Sequence, residues 1–147
     1  MASSVESDVE LKSPADKFFK RLSSELHHLP NASDIVHGVE VHEGDFKTHG
    51  SVKSWSYSID GRKEIFKEKF EIDERNMTVS MVAVGGHILE QFKSYKIVYN
   101  VFPNEGNKPA VLKIKLVYEK FKETDPDPNN YLRFLVSIFK DLDNHLQ

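Results

Sequence analysis

The dipeptide Asp60-Gly61 lies between two segments of alternating polarity, residues 51–59 and 62–70, and it constrains the fold more than any other feature. Asp-Gly in that setting is the strongest short-range signal for a two-residue hairpin turn, and such a turn fixes strand register. With Ile59 opposite Arg62, Tyr57 faces Glu64, Trp55 faces Phe66 and Lys53 faces Glu68. All of these share one side of the ribbon, because strand side chains alternate with period two. The other side carries Val52, Ser54, Ser56 and Ser58 against Lys69, Lys67, Ile65 and Lys63, and is the wet one. The face with Trp55 and Phe66 therefore turns inward and takes Lys53 and Glu68 with it. Charged side chains are seldom buried unless paired. A large aromatic interior with a few polar groups suits a ligand cavity better than a dry core.

The rest of the chain extends this sheet. Val5, Val9 and Leu11 alternate with Glu6, Asp8 and Glu10 as a first strand, and Ser13-Pro14-Ala15-Asp16 opens a helix with Ser13 as N-cap and Pro14 as its first residue. Phe18, Phe19, Leu22, Leu26 and Leu29 form its buried side, and the helical region is expected to end near Pro30-Asn31. A strand over residues 38–43 precedes the loop Gly44-Asp45-Phe46-Lys47-Thr48-His49-Gly50. Beyond the hairpin, Met77, Val79, Met81 and Ala83 line a strand that Gly85-Gly86 turns around. Tyr95, Ile97, Tyr99 and Val101 then pair with Leu112, Ile114, Leu116 and Tyr118 across the loop 103–109, placing large side chains on one concave face.

Asp127 as N-cap and Pro128 as first residue start a long terminal helix. At 100° steps Tyr131, Leu132, Phe134, Leu135, Val136, Ile138, Phe139, Leu142 and Leu146 cover an apolar arc of roughly 200°, wider than the stripe of an ordinary surface helix. The predicted fold is α+β, a curved antiparallel sheet wrapped around that helix. At 147 residues the chain is expected to form a single domain, 1–147, with one core.

Composition removes several function classes. There is no cysteine, hence no disulfide, thiolate nucleophile or cysteine-bound zinc. The histidines show neither H-x-x-x-H spacing nor a facial arrangement with a carboxylate, so neither a metal nor another cofactor is called for, and no G-x-S-x-G marks a nucleophile. Net charge is −3 with basic residues scattered, which predicts no nucleic-acid partner. No apolar run approaches the ~18 residues of a membrane helix and the start lacks a leader pattern, so a cytoplasmic protein without membrane insertion is expected.

His42-Glu43-Gly44-Asp45-Phe46, Trp55-Ser56-Tyr57 before Asp60-Gly61, Phe92-Lys93-Ser94-Tyr95, Val117-Tyr118-Glu119-Lys120 and the stretch from Tyr131-Leu132-Arg133-Phe134 to Asp143-Asn144-His145-Leu146 carry a resemblance. Over residues 9–146 the chain resembles the major latex protein and ripening-related group of plants, within the birch-pollen-allergen superfamily. That resemblance implies a helix-grip fold: a seven-stranded antiparallel sheet, two short helices and a long C-terminal helix enclosing a hydrophobic cavity. It departs from the superfamily's pathogenesis-related members in one place. Their G-x-G-G-x-G loop is reduced here to Gly44 and Gly50, with Asp45 between them opposing a phosphate.

Candidate ligand-binding residues follow from both readings. Lys53 and Glu68 are either a polar anchor inside the cavity or a cross-strand ion pair without a ligand role. Tyr57, Tyr95, Tyr99 and Tyr118 each either meet ligand or pack in the core. The apolar set Trp55, Phe66, Met81, Ile97, Leu116, Leu135, Phe139 and Leu142 is ordinary core by itself, and the resemblance makes it cavity wall. The expected function is a non-enzymatic binding or carrier protein for a hydrophobic small molecule, sterol-like, fatty-acyl or phenolic, in plant defence, stress or development. The alternative is a condensing enzyme or ribonuclease of the same superfamily. The first would need Lys53 uncharged, which a facing Glu68 opposes, and the second is disfavoured by the reduced glycine loop.

Overall fold

A computed structural model describes residues 2–146. In chain order its elements are β1 (Ser3–Glu10), α1 (Ala15–Ser24), a 3₁₀ turn (Leu26–His28), α2 (Leu29–Ala32), β2 (Val36–Glu43), β3 (Val52–Ile59), β4 (Arg62–Asp73), β5 (Thr78–Gly86), α3 (Ile88–Gln91), β6 (Phe92–Phe102), β7 (Val111–Lys120) and α4 (Asn129–His145). The strands form one seven-stranded antiparallel sheet in the order β1-β7-β6-β5-β4-β3-β2, leaving β1 and β2 as its edges.

The hairpin has the register its turn demands. Asp60 and Gly61 sit at φ 50° and 77°, the paired positive values that let a two-residue turn follow strand twist. Ile59 pairs with Arg62, Tyr57 with Glu64, Trp55 with Phe66 and Lys53 with Glu68. Tyr57, Glu64, Trp55, Phe66, Lys53 and Glu68 are all buried. Ser56, Lys63, Ile65 and Lys69 on the opposite side are exposed. In the same way Tyr95, Ile97, Tyr99 and Val101 oppose Tyr118, Leu116, Ile114 and Leu112 and turn inward. The apolar arc of α4 covers this concave face: Tyr131, Leu132, Leu135, Ile138, Phe139, Leu142 and Leu146 are buried, with Phe134 and Val136 half-buried at its margin.

Several local expectations are corrected. α1 starts at Ala15 with Pro14, not Ser13, at the N-cap position. The Ser13 N–H donates to Asp143 Oδ1 (3.0 Å) and the Lys12 N–H to Asp143 Oδ2 (2.7 Å), so a buried carboxylate on α4 holds the β1–α1 turn. The first helical region is not one helix but α1, the 3₁₀ turn and α2 in succession, and it ends at Ala32, beside the expected Pro30-Asn31. Asp127 does not cap α4 by its side chain. Its Oδ1 accepts the Tyr118 hydroxyl (2.7 Å) and pairs with Lys120 Nζ (2.8 Å), which draws the carboxylate away from the helix amides.

Gly85 and Gly86 do not form the turn after β5 but continue the strand, opposite Lys67 and Phe66 and beyond a bulge at Lys67/Glu68. Gly86 takes φ 97°, and a Cβ there would collide with the carbonyl oxygen of Ile65. The reversal is made by α3 one step later, and its Ile88 is buried.

Candidate functional site

The concave face of the sheet and the buried face of α4 enclose a cavity of about 50 Å³. β3 contributes Trp55 and Tyr57, β4 Phe66, β5 Met81, and β6 Tyr95, Ile97 and Tyr99. From α4 come the expected Leu135 and Phe139. Tyr131, Phe134 and Ile138 join them, although sequence reasoning placed these three on the apolar arc without assigning them to a site. Leu26, Leu29, Val36 and Ile88 complete the lining and were likewise not anticipated there. Leu26 and Leu29 belong to the expected buried side of the first helical region, without a site, whereas Val36 opens a strand and Ile88 lies in a one-turn helix, where no periodicity spans enough residues to show which way a side chain points.

Leu116, Tyr118 and Leu142 do not line this cavity. Leu116 and Leu142 are fully buried packing residues, on β7 and near the C-terminal end of α4. The Tyr118 ring packs against Phe92, centroids 5.4 Å apart, and its hydroxyl is taken by Asp127.

Lys53 and Glu68 also lie outside the lining. Their side chains are 1% and 0% exposed, Nζ to Oε2 is 3.5 Å, and Nζ sits 4.2 Å above the centre of the Phe70 ring. The indole N–H of Trp55 donates to the same Glu68 oxygen at 3.0 Å. Burial lowers the Lys53 pKa and raises that of Glu68, against the attraction between them. Desolvation and the attraction between the two charges thus act in opposite directions on both groups. The arrangement is an ion pair in apolar surroundings, with the lysine also lying on an aromatic face.

A second polar cluster does reach the cavity. Glu64, 5% exposed, accepts from the Tyr131 hydroxyl (2.8 Å) and the Tyr57 hydroxyl (3.2 Å) at the same Oε1. Gln91 Nε2 donates to the Tyr131 oxygen at 2.7 Å, and Arg62 Nη2 approaches Glu64 Oε2 from solvent at 3.4 Å. The hairpin register already set Glu64 beside Tyr57 on the inward face, so the signal was present in the sequence. Burial raises the pKa of all five tyrosines, that of Tyr131 and of Tyr118 to about 12.

The loop before β3 is closed by its own aspartate. Asp45 Oδ1 accepts the N–H groups of Lys47 (2.9 Å) and Thr48 (2.7 Å), and Oδ2 accepts the Thr48 hydroxyl (2.9 Å). These hydrogen bonds lower the Asp45 pKa. The amides a phosphate would need are engaged by a carboxylate. No group of three metal-ligating side chains occurs among the described residues.

The arrangement of sheet and helices is shared with known proteins. The model of the pathogenesis-related protein Bet v 1 family matches residues 1–147. The chain belongs to the Bet v 1 family. Within it, this Bet v 1 chain is 39% identical over 140 residues to MLP-like protein 329 of Arabidopsis thaliana, covering 95% of the chain and 92% of that relative. It superposes on the crystal structure of major latex-like protein 151 from Panax ginseng with a TM-score of 0.93 and 34% identity, covering 100% of this chain and 99% of that one. A Thalictrum norcoclaurine synthase variant shares the fold at a TM-score of 0.75 and 18% identity, covering 100% and 98% of the two chains.

Proposed function

We propose that this Bet v 1 domain is a non-enzymatic binding or carrier protein for hydrophobic small molecules, of sterol-like, fatty-acyl or phenolic type, serving plant defence, stress or development from the cytoplasm. The observation that carries the proposal is the apolar cavity between sheet and α4, lined almost wholly by aromatic and aliphatic side chains with hydroxyls at a few points. Pockets for small molecules have this composition, and burying apolar ligand area supplies ~25 cal/mol per Å² before ordering costs. At about 50 Å³ the cavity is smaller than the ~300–1,000 Å³ such ligands occupy, so binding requires one wall to move. The sheet is fixed by its backbone ladder. α4 is tied near its ends, through Asn130 to Asp60 and Tyr131 to Glu64 at one and Asp143 to the Lys12 and Ser13 amides at the other. Its middle meets the sheet through apolar packing, which yields more readily than a hydrogen-bonded ladder.

The condensing-enzyme alternative asks for a lysine amine presented to substrate. Burial lowers the Lys53 pKa, the direction such an amine needs, yet the side chain is paired with Glu68, lies over Phe70 and stands outside the cavity lining. No helix among the described residues is long and apolar enough to cross a membrane. Titration of the folded chain with Nile red tests the proposal: saturable binding near one probe per chain, with a change in Trp55 emission, is expected. Absence of saturable binding to a cooperatively folded sample refutes it.

A further inference from the structure

The cavity lining carries two hydroxyl protons that no other described residue uses. Among the described residues four tyrosines line the space, and Tyr57 and Tyr131 give their protons to Glu64 Oε1. Tyr95 and Tyr99 stand on the inward side of β6 and have no hydrogen-bond partner among the described residues. They are 5% and 2% exposed, yet neither oxygen is closed over by packing as the unpartnered Ser33 hydroxyl is, so both front the space they line. We infer that Tyr95 and Tyr99 make the cavity selective for a neutral apolar ligand carrying an acceptor oxygen, a ketone, ester or ether, over a hydrocarbon of the same shape. The inference deepens the binding reading above and rests on it.

The rest of the lining limits what that oxygen can be. Among the described residues no lysine, arginine or histidine lines the cavity, so a carboxylate would enter without a cation to offset its loss of water. The indole N–H of Trp55 is already given to Glu68. A carbonyl has no proton of its own to place, and a phenol proton satisfies it. A hydrocarbon leaves that proton unmatched, which is the costly case where solvent is excluded. Burial raises the pKa of both tyrosines, so each oxygen keeps its proton at neutral pH. Neighbouring rings hold the two phenols, Tyr99 against Phe139 with centroids 4.8 Å apart and Tyr95 edge-on to Phe66 at 5.9 Å. The donors are thus in place before a ligand arrives, and little ordering cost falls on the hydrogen bond.

Calorimetric titration at neutral pH with 2-acetylnaphthalene, 2-isopropenylnaphthalene and 2-naphthoate tests the inference. The first two differ only in an oxygen replaced by a methylene. Tyr95→Phe, Tyr99→Phe and the double variant delete oxygen and no carbon, so ring packing is kept. In the double variant affinity for the ketone should fall about threefold to tenfold, the worth of one neutral hydrogen bond, with the alkene unchanged within about twofold. The infrared carbonyl band of the bound ketone should lie below its position in hexane in wild type and move back toward it in the double variant. A purely structural role for the tyrosines would not move that band. Should the double variant not fold, at least one single variant should show the same loss and the same band movement. Undiminished ketone affinity, an equal loss for ketone and alkene, or a carbonyl band that no substitution moves overturns the inference and leaves the cavity reading intact, as does naphthoate binding more tightly than the ketone. Failure of wild type to bind either neutral probe overturns the cavity reading and this inference with it.

Discussion

Phe139→Ala separates a packed wall from a slack one. Phe139 is 1% exposed and wedged between the Phe18 ring, 6.4 Å away, and the Tyr99 ring, 4.8 Å away, beside the cavity of about 50 Å³. A space that small leaves little slack around the ring, so its removal should carry both the lost transfer energy and the cost of the void, together ~3–5 kcal/mol. With a urea dependence of ~2 kcal/mol per M, the midpoint should fall by about 2 M at unchanged slope. The new void also adjoins the existing cavity, giving a dry apolar space of ligand size. Toluene at ~100 times its dissociation constant should then restore ~2.7 kcal/mol to the variant and much less to wild type. Urea curves of both proteins with and without toluene give all four values. A loss below ~1 kcal/mol would show that the ring is not close-packed, and equal toluene stabilisation of both proteins would show that the void does not join the cavity.

Three further outcomes are expected. Lys53→Met and Glu68→Leu should each cost ~3–5 kcal/mol in chemical denaturation, because each leaves an uncompensated buried partner, and the double variant should recover part of the loss; strictly additive losses would show the pair is not coupled. Tyrosinate absorbance should stay absent above pH ~10 until the chain unfolds, since raised folded-state values give stability that is fully present below the unfolded pKa and lost as pH rises through about 12 for Tyr118 and Tyr131; reversible ionisation of several tyrosines near pH 10 in the folded protein would contradict this. Asp143→Ala should lower the thermal midpoint by roughly 5–15 °C by releasing the amides of Lys12 and Ser13 from α4, and a midpoint within about 2 °C of wild type would remove Asp143 as the link between these elements.

The parts legible in the sequence are those where a short-range rule fixes a long-range consequence. Asp60-Gly61 set eight cross-strand pairs at once, including the burial of Lys53 and Glu68, because register propagates along a hairpin. The width of the apolar arc on α4 likewise required a concave partner. Less legible were features decided by groups distant in sequence. Asp127 has ideal N-cap chemistry, but Tyr118 and Lys120 engage its carboxylate, and the Ser13 amide goes to Asp143 at the far end of the chain. Gly85-Gly86 reads as a turn, yet the requirement is the close approach of the Ile65 carbonyl across the strand pair. Inward direction was also not sufficient to place a residue on the cavity: Leu116 and Lys53 point inward and are covered by packing. Glu64 shows the converse, a charged residue legible from register whose role emerges only once Tyr131 arrives from α4.

The two sheet edges bear on how concentrated such a protein can become. An open sheet ends in rows of unpaired amides and carbonyls that another copy could zip onto, with fibre growth as the outcome. β2 breaks its row with register shifts between Val36 and Gly38 and again between Val41 and Glu43, so it presents no long regular stretch. β1 keeps a regular backbone but carries exposed Glu6, Asp8 and Glu10 at alternate positions, and a second β1 laid beside it would bring like charges together. Both edges of the open sheet are thus poor templates for a second copy, which favours a protein that stays dispersed when abundant.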